Sequence, residues 1–583
     1  MAEAEATAGS ARSQRPPHTN LASAPPVSAE VSSPAAPDDG PLTKQTSRTA
    51  KAWYLRAPAI TRYLPPPAIT RYLRAPAITR YLPPPAITRY LRAPAITRYL
   101  VPYARLAPLA LLMVGFTVRF ANASVETLRS FQQDAYDLAL YDQGIWLLSR
   151  FHAPFMTVMG TDMFAAHTVF IFVLLVPLYW VYPHTAALLV VQATALASGA
   201  VPVYLLGRRL LSNWALSTLL AAAYLLNPAI QRANLDQFHV EAFEAPILAF
   251  CVYAAVVWRP RLLLVMVALL LLCKQDDALF AVPLGLWVTF RRDRTAGLAI
   301  VGSGVMVALV ENLVIIPALL NGVPVTYTGW WPFGSFSATV QALIRKPGEL
   351  LDFLVGGGRP FYLWQMAFST GLAFLAAPGI LAVALPELLA DAFSSNPYLH
   401  QIFRHYSVPT SAVLICATVV GIARARRRRD RVIATVTVTL CALWACLLWG
   451  DAPFSDNPYV PPNPSTPSVV ATDHLLTRLP PRAVVSAAQN FVPNIDHRRQ
   501  VYLFPTPFSQ SYYGNPKFNG TELPFASQVE YLLLPRCISC DGNLGESAQV
   551  VFDRIAPEFR VLASTSNVVL YQRKDSATAS SRG

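Results

Sequence analysis

The chain has 583 residues, of which 54% are hydrophobic and only 14% are charged. Soluble proteins carry roughly 25% charged residues, so this composition excludes a soluble enzyme and indicates a membrane protein with many spans and polar ends. The net charge of +14 comes from a basic tail and from short basic loops between apolar runs. That distribution is typical of cytoplasmic loops and not of a nucleic-acid-binding surface.

Residues 1–103 are predicted to be a disordered cytoplasmic tail, because they are rich in Ala, Ser, Pro and Thr and show no apolar period. Within this tail, residues 56–100 are tandem nonamers in which RAPAITRYL alternates with PPPAITRYL. The frequent prolines prevent a continuous helix. We interpret the repeat as a spacer, with adhesion to anionic headgroups on the cytoplasmic face as the alternative.

Residues 104–450 are predicted to form an all-α transmembrane domain of about eleven spans. The basic clusters at 208–209, 259–261, 291–294 and 424–431 then fall on one side of the bilayer, which the positive-inside rule makes cytoplasmic. The N-terminus is therefore expected inside, and the C-terminal region outside, a bacterial cell membrane. The spans are expected at 104–121, 185–207, 213–229, 241–258, 261–273, 277–290, 296–317, 361–377, 379–393, 406–423 and 432–450.

Residues 122–184 are predicted to be an outer loop. Its apolar stretch at 167–182 has about 16 residues, fewer than the roughly 20 that a helix needs to cross a bilayer, and Pro177 interrupts it. Counting this stretch as a span would also move the basic cluster at 208–209 to the outer side. We therefore expect residues 167–182 to form a helix that lies in the outer interface.

Acidic side chains precede this helix. Because a charged group in or near a bilayer costs free energy, acidic residues in so apolar a chain indicate a functional role. Asp134 and Asp137 are three residues apart, so on a helix they would share one face. Two neighbouring carboxylates repel each other, which raises the pKa of one of them toward a useful range. We predict Asp137 as the catalytic base with Asp134 assisting, whereas Asp142 is expected to point elsewhere. The alternative for each acid is a loop carboxylate satisfied by a neighbour.

Ionisable residues near the membrane collect on the predicted outer side, which favours a one-sided substrate cavity. Lys274 lies in a charged break at 274–277, between two apolar arms that are too short to cross the bilayer. Lys274 and Arg404 are predicted to hold a phosphate, with an internal Lys–Asp pair that only joins helices as the alternative for Lys274. The other predicted binding residues are His405, Asp236, His239, Glu241 and Trp146. His167, His239 and His405 could orient the acceptor or phosphate or coordinate a metal with Asp137, with a structural role as the alternative for each. No metal ligands are assigned, and a divalent metal is the one cofactor left open.

Residues 451–583 are predicted to form a small extracytoplasmic α/β domain after a proline-rich linker. Strands are expected at 484–488, 501–505, 529–535 and 568–572, and helices around 470–478 and 550–557. Cys537 and Cys540 form a single C-x-x-C pair. Without a second pair this spacing is poor evidence for zinc, and outside the cytoplasm a local disulfide is the expected state.

Several separated strings of the chain resemble the bacterial membrane family known as domain of unknown function 2079, in order between residues 125 and 575. The family's Phe-Asp-Leu-Gly appears as Tyr-Asp-Leu-Ala at 136–139, and its Lys-Glu-Asp as Lys-Gln-Asp at 274–276, so one acid is missing. The strings are YDLALYDQGIW (136–146), NLDQFHVEAF (234–243), CKQDDALF (273–280), LPELL (385–389), HY (405–406) and NFVPNIDHRRQVYLFP (490–505).

More distantly, the layout resembles GT-C glycosyltransferases, which have an acidic motif in the first outer loop and then a helix lying on the membrane. Their Tyr-Leu-Leu-x-Arg-Arg-Leu pattern at the end of a span matches residues 204–210, and their lysine at a break between short spans matches Lys274. This resemblance implies a polyprenyl-phosphate sugar donor and a cell-envelope acceptor on the outer face.

The sequence therefore predicts a membrane glycosyltransferase whose partners are the bilayer, the lipid-linked donor and an envelope glycan or lipid, and not nucleic acid. A transporter or flippase of lipid-linked intermediates is one alternative, and it would carry polar residues at mid-membrane, as around Glu311, Asn312, Glu387 and Asp391. A non-enzymatic envelope scaffold is another, and it would tolerate Asp137→Asn. An ATP-driven pump is excluded, since the sequence has no Walker-type motif.

Overall fold

The described part of the chain is mostly helical and carries a small sheet toward its C-terminal end. The computed structural model describes residues 104–320, 322–323, 330–511 and 513–574. The predicted tail and its nonamer repeats therefore lie outside the described residues.

Long apolar helices fill the region predicted to lie in the membrane. Within the described ranges, four are long and apolar enough to cross a bilayer, judged by length and composition: Ala107–Arg129, Ala186–Leu211, Arg294–Leu320 and Arg428–Trp449. Shorter apolar helices include Trp214–Leu225, Pro260–Leu270, Ala278–Arg291 and Ser407–Ala423. A helix is present at every position predicted to be a span, while the number that cross the bilayer stays a prediction.

The other α-helices are shorter or lie beside the site described below. They are Leu140–Ser149, Met163–Ala166, Val176–Val181, Pro228–Leu235, Glu241–Val257, Phe336–Arg345, Pro347–Val355, Arg359–Phe368, Pro378–Phe393, Pro467–Leu476 and Gly545–Ile555. Two π-helical turns, Ala135–Ala139 and Glu311–Ile315, follow or interrupt membrane helices. The 3-10 turns are Phe170–Leu175, Pro332–Gly334, Ala373–Ala376, Gln489–Asn494, Pro516–Phe518, Ala526–Gln528 and Ala556–Glu558.

The span predicted at 361–377 is interrupted in its middle. The α-helix Arg359–Phe368 ends in a tight turn, and a 3-10 turn follows it. Gly371 lies in this tight turn at φ +63°, where a Cβ would come within 2.9 Å of the Val438 side chain. Glycine therefore permits both the left-handed turn and the close approach to the neighbouring helix.

The segment at 167–182 is a broken helix. The 3-10 turn Phe170–Leu175 runs into the α-helical turn Val176–Val181, and Pro177 sits in the first turn of the second part. There its missing N–H costs no hydrogen bond. At about 2.0 Å per residue for 3-10 helix and 1.5 Å for α-helix, the two parts span roughly 21 Å, less than the ~30 Å of a bilayer core. The length agrees with a segment that does not cross, while its interfacial position stays a prediction.

The two helices around the charged break are also short, as predicted. Pro260–Leu270 and Ala278–Arg291 flank residues 271–277. At 1.5 Å per residue they reach roughly 17 and 21 Å, so neither spans a bilayer core alone. Lys274 is only 8% exposed. The break therefore places this lysine inside the protein, where it needs partners.

The β-structure of the described residues has three antiparallel and two parallel strand pairings. Residues 122–184 contain a small ribbon of β1 (Phe155–Met156) and β2 (Thr161–Asp162). The C-terminal sheet contains β3 (Val485–Ala487), β4 (Val501–Leu503), β5 (Tyr531–Pro535), β6 (Phe559–Ser564) and β7 (Val568–Arg573) in the order β4-β3-β5-β7-β6. Strand β3 pairs in parallel with β4 and β5, whereas β7 is antiparallel to β5 and β6.

Most elements of the C-terminal region confirm the prediction. The four predicted strands correspond to β3, β4, β5 and β7, and the two predicted helices to Pro467–Leu476 and Gly545–Ile555. Strand β6 was not predicted, because it lies at the edge of the sheet and much of it is exposed, so its sequence lacks a clear apolar alternation. Cys537 and Cys540 form the predicted local disulfide.

The loop at 122–184 and the C-terminal sheet share one hydrophobic core. Leu138, Ile145 and Phe172 from the loop belong to the same buried cluster as Val485 and Leu532 from the sheet. All five side chains are fully buried. The loop that carries the predicted catalytic acids is therefore held against a sheet more than three hundred residues later in the chain.

A buried polar junction joins the same two parts. The Asp142 carboxylate, which is 0% exposed, accepts hydrogen bonds from the Tyr179 hydroxyl and, at 2.6 Å, from the Thr185 hydroxyl. His497 Nε2 lies 3.1 Å from the same carboxylate. Burial alone would raise the pKa of Asp142, but the charge and hydrogen bond of His497 outweigh it and lower that pKa. As expected, Asp142 points away from Asp137, and it has a structural role.

We expect Asp142→Ala to cost about 2 to 3 kcal/mol of stability, because it leaves two buried hydroxyls and an imidazole without their acceptor. Thermal unfolding of the detergent-solubilised protein, followed by intrinsic fluorescence, measures this loss. Asp553→Ala is the control, since Asp553 is exposed and bonds only to Gln549 on its own helix. Equal unfolding temperatures for the two variants would show that the junction adds nothing to stability.

Candidate functional site

The predicted catalytic acids lie in a kinked turn, which corrects the assumption that they share a helix face. Asp134 caps the turn by accepting a hydrogen bond from the Tyr136 backbone N–H at 3.2 Å, and it also accepts one from Gln489. Asp137 has φ +63° and ψ −67°, values close to those of a rare and strained γ-turn. Such strain, of order 1–3 kcal/mol, concentrates at functional sites.

Both acids nevertheless face the same cavity, which we call the acidic chamber. It has a volume of about 370 Å³. The Asp137 carboxyl keeps partial access to this space. Burial by its surroundings, followed by the charges of nearby acids, raises its pKa, although His239 acts in the opposite direction. The chamber is lined by Asp134, Tyr136, Asp137, Asp236, Gln237, His239, Tyr398, Arg404, His405 and Tyr406.

One wall of the acidic chamber is organised around Asp236. Its Oδ1 lies 2.8 Å from Arg404, and its Oδ2 lies 3.0 Å from His405 Nδ1 and 3.7 Å from His239 Nε2. Burial alone would raise the pKa of Asp236, but the His405 hydrogen bond and the nearby positive charges outweigh it and lower that pKa. Asp236 is therefore an anion, and it fixes the orientation of a cation and two imidazoles.

Lys274 reaches this wall through Glu241. Its Nζ lies 3.0 Å from Glu241 Oε1 and 3.3 Å from Asp276 Oδ2, and its side chain is 9% exposed. Glu241 Oε1 also lies 3.9 Å from His405 Nε2. Lys274 therefore pairs with two acids and also lines a cavity, while its role in holding a phosphate stays a prediction.

The cavity beside Lys274, which we call the lysine cavity, has a volume of about 330 Å³. We expected Lys274 and Asp137 to share one chamber, but they line different cavities, and Tyr406 contributes to the walls of both. The lysine cavity is lined by Ala166, His167, Lys274, Gln275, Asp276, Leu279, Asn312, Ile316, Trp330, Trp331, Glu387, Ala390, Asp391, Leu399 and Tyr406.

An apolar groove lies next to the lysine cavity, and Leu279 lines both. The groove has a volume of about 300 Å³ and no polar surface. It runs between the helices Ala278–Arg291, Arg294–Val310 and Pro378–Phe393. Its walls are Ala278, Leu279, Val282, Pro283, Val305, Ala308, Leu309 and Pro386.

Glu241 lines neither cavity but contacts Lys274 and His405, whereas Trp146 lies apart from the other predicted site residues. Its half-buried ring stacks on His497 with the ring centroids 5.8 Å apart and the planes inclined by 13°. It lines neither the acidic chamber nor the lysine cavity. The tryptophan thus belongs to the junction of loop and sheet.

Sequence reasoning missed some residues of the site. Tyr398 and Tyr406 line the acidic chamber, with the Tyr398 ring 4.7 Å from the Arg404 guanidinium carbon. Gln489, which hydrogen-bonds Asp134, lies just before the string at 490–505 that resembles the family. For Gln489, that neighbouring string was the one available signal, and it did not indicate a contact with Asp134, which lies 355 residues earlier.

Solved structures that are similar to the chain include two of one protein. They are crystal structures of ArnT from Cupriavidus metallidurans, one bound to undecaprenyl phosphate and one in the apo state. Both are 10% identical to the chain and cover 79% of it, and the chain covers 97% and 98% of them, with TM-scores of 0.44 and 0.42. Similarity at this level transfers no residue roles.

Comparison by sequence places the chain in a family. No curated protein matches it. A family model described as "Predicted membrane protein (DUF2079)" matches residues 127–534, a stretch that contains the acidic turn, the lysine break, both cavities and the strands β3 and β4 of the C-terminal sheet. The chain therefore belongs to the DUF2079 family of predicted membrane proteins.

Proposed function

We propose that this protein is a membrane glycosyltransferase that moves a sugar from a polyprenyl-phosphate donor to a cell-envelope acceptor. The observation that carries the proposal is the order of its cavities. A polar chamber with a half-buried acid lies beside a cavity with a lysine, and Leu279 lines both that cavity and a wholly apolar groove. A lipid-linked sugar has the same order of parts: a polar sugar, an anionic phosphate and an apolar tail.

On the acceptor side, Asp137 is the general base. Its raised pKa brings it nearer to the operating pH, where a base is most effective. Asp134, Tyr136 and Gln237 line the same chamber and supply groups that can hydrogen-bond a sugar. The carboxylate of Asp137 takes the proton of the acceptor hydroxyl as that oxygen attacks the anomeric carbon of the donor sugar.

On the donor side, the cations hold the phosphate. Lys274 lies at the lysine cavity, and the half-exposed Arg404 side chain lies at the acidic chamber. One carbon–oxygen bond forms to the acceptor, and the bond between the anomeric carbon and the phosphate oxygen breaks. The polyprenyl phosphate leaves with the electron pair of that bond, and positive charge stabilises it.

The proposed sidedness follows from the basic loops. With those loops in the cytoplasm, both cavities open to the outer face of a bacterial cell membrane, where envelope glycans or lipids are available. The C-terminal sheet then lies outside, together with the loop it packs against. Cysteine labelling of intact cells at exposed positions of that sheet tests this arrangement.

The transfer itself is tested with purified full-length protein in detergent or nanodiscs. Radiolabelled sugars linked to undecaprenyl phosphate are supplied with an envelope lipid and glycan extract. We expect labelled product together with an equal amount of released polyprenyl phosphate. Absence of both across a panel of sugars, with a protein that remains folded, overturns the proposal.

The pH dependence of transfer provides a separate test. A base works only when deprotonated, so the rate should rise with pH through the pKa of Asp137 and fall below it. Because burial raises this pKa, the acidic limb should lie at higher pH than an ordinary aspartate would give. Asp134→Asn removes a neighbouring negative charge and should move the limb to lower pH. If the acidic limb of the rate profile lies at the same pH in this variant as in the wild type, Asp137 is not the titrating group.

A flippase of lipid-linked intermediates is the second candidate. The observation that favours it is the presence of Glu387 and Asp391 on the wall of the lysine cavity, within an apolar helix. A flippase would move a fluorescent polyprenyl-phosphate lipid across proteoliposomes without consuming it. Equal movement with and without acceptor, and no product, favours this function over transfer.

A further inference from the structure

We propose that Asp236, His239 and His405 bind one divalent transition-metal ion in the wall of the acidic chamber, with zinc the preferred ion. The role given to this metal rests on the proposed function, but its binding can be measured without any transfer assay. Asp236 and His239 lie in the loop before the helix Glu241–Val257, and His405 lies just before the helix Ser407–Ala423.

The donor atoms have the spacing that one ion requires. One atom from each of the three side chains lies within 4.8 Å of the other two. His405 Nδ1 is 3.0 Å and His239 Nε2 is 3.7 Å from the same oxygen, Asp236 Oδ2. Tetrahedral zinc with bonds of about 2.0 to 2.1 Å keeps its ligand atoms roughly 3.3 Å apart. The site therefore needs only small side-chain shifts to close around an ion.

The second observation is a buried nitrogen that lacks a partner. His239 is 4% exposed, and its Nε2 makes no hydrogen bond to any residue that the structure describes. Buried polar atoms are nearly always satisfied, and an exception in a native protein calls for an explanation such as a water or an ion. The nitrogen lies 3.7 Å from Asp236 Oδ2, so an ion bound between them would give this nitrogen a partner.

The ring of His239 is also held in place on other sides. Its backbone N–H donates to Gln192 Oε1 at 2.8 Å, and Gln192 in turn donates to the Gln237 carbonyl at 2.7 Å. The imidazoles of His239 and His405 are stacked, with centroids 3.4 Å apart and planes inclined by 20°. This stacking directs a nitrogen of each ring to the same carboxylate oxygen.

Surrounding residues orient the other two ligands. Arg404 holds Asp236 Oδ1, and Oδ2 accepts the His405 backbone N–H at 3.2 Å, so Oδ2 keeps a second lone pair for an ion. The remaining nitrogen of His405 faces Glu241 Oε1 at 3.9 Å, and Lys274 holds that oxygen at 3.0 Å. A carboxylate behind a metal-binding histidine is a common second layer around zinc, since it fixes the tautomer and raises the basicity of the ligand.

The ligand set also indicates which ions fit and what the ion would do. Two imidazole nitrogens and one carboxylate favour zinc and neighbouring transition metals over Mg²⁺ and Ca²⁺, which prefer oxygen ligands. Three protein ligands leave a fourth position open, as in catalytic zinc sites. Because the three residues line the chamber that also holds Asp137, an oxygen of a ligand in the chamber would complete the coordination.

The test is zinc binding to the purified full-length protein, with any affinity tag removed. After treatment with a chelator and dialysis, the protein is titrated with zinc chloride, and bound metal is counted by mass spectrometry. We expect about one zinc per chain and a higher unfolding temperature with zinc. His239→Ala and His405→Ala should each weaken zinc binding at least tenfold, while magnesium chloride should have no effect.

His167→Ala is the matched control, because His167 lines the lysine cavity and bonds to Gln275 instead of Asp236. Where His239→Ala lowers the yield, His239→Gln keeps a similar volume and serves the same test. Absence of bound zinc, or wild-type affinity in both histidine variants, overturns the metal site. If zinc binds but no sugar is transferred, the metal site is supported and the proposed function is overturned. If sugar is transferred but no zinc binds, the proposed function is supported and the metal site is overturned.

Discussion

Asp137→Asn is expected to reduce sugar transfer by about 10² to 10⁴-fold, the range that a general base contributes. The substitution removes the proton acceptor and keeps the size of the side chain. Asn, like Asp, is among the residues most often found at positive φ, so the turn at φ +63° should persist. The loss of activity then reports on the carboxylate and not on the turn.

The unfolding temperature of the variant distinguishes a loss of catalysis from misfolding. Because burial raises the folded-state pKa of Asp137, its protonated form is preferred in the folded protein, and stability falls as pH rises through that pKa. Asn resembles the protonated form. The Asp137→Asn protein should therefore unfold at a temperature no lower than wild type near neutral pH.

The matched control is Asp134→Asn, which changes the neighbouring acid of the same turn. Asp134 is predicted to assist, so we expect a loss of about tenfold or less in the same transfer assay. Equal losses in the two variants would remove the distinction between base and assistant. Unchanged transfer in Asp137→Asn would rule out Asp137 as the base.

Lys274→Met is expected to destabilise the protein by about 3 to 5 kcal/mol, because it removes the cation from a buried ion pair and leaves Glu241 without compensation. The structural basis is the contact of 3.0 Å between the two side chains, which are 9% and 6% exposed. Thermal unfolding in detergent measures the loss. A drop in transfer is also expected, but in this variant alone it cannot be separated from the loss of stability.

The double variant Lys274→Met with Glu241→Gln separates the two roles. Neutralising both partners removes the uncompensated charge, so most of the lost stability should return. If Lys274 also holds the donor phosphate, transfer and donor binding should stay low in the restored protein. Recovery of both stability and transfer would show that the lysine only joins helices.

Much of the architecture could be predicted because it depends on local patterns. Apolar runs long enough for a helix give a helix at every position predicted to be a span, since the backbone must satisfy its own hydrogen bonds in lipid. The short segment at 167–182 and the break at Lys274 were recognisable by length and charge. The strands β3, β4, β5 and β7 carry enough apolar and β-branched residues to be read locally, whereas the exposed edge strand β6 does not.

The site could be predicted only as a set of residues. Asp137, Asp236, His239, His405 and Arg404 were selected one by one from their chemistry, and they line one chamber. Their arrangement depends on contacts between distant residues, such as Asp236 with His405, which are 169 positions apart. Local periodicity carries no information about such contacts, so the stacked histidines were not foreseen.

The sequence by itself determined that this is a helical membrane protein, which parts are too short to cross, and which acids and cations are available for chemistry. Only the tertiary structure shows the positive-φ backbone conformation of Asp137. It also shows that Lys274 lines a cavity separate from that of Asp137, and that Trp146 lies at the junction of loop and sheet. The physical reason is that helix formation is decided within a few turns of chain. A cavity is instead decided by how helices pack, which depends on the whole set of side chains between them.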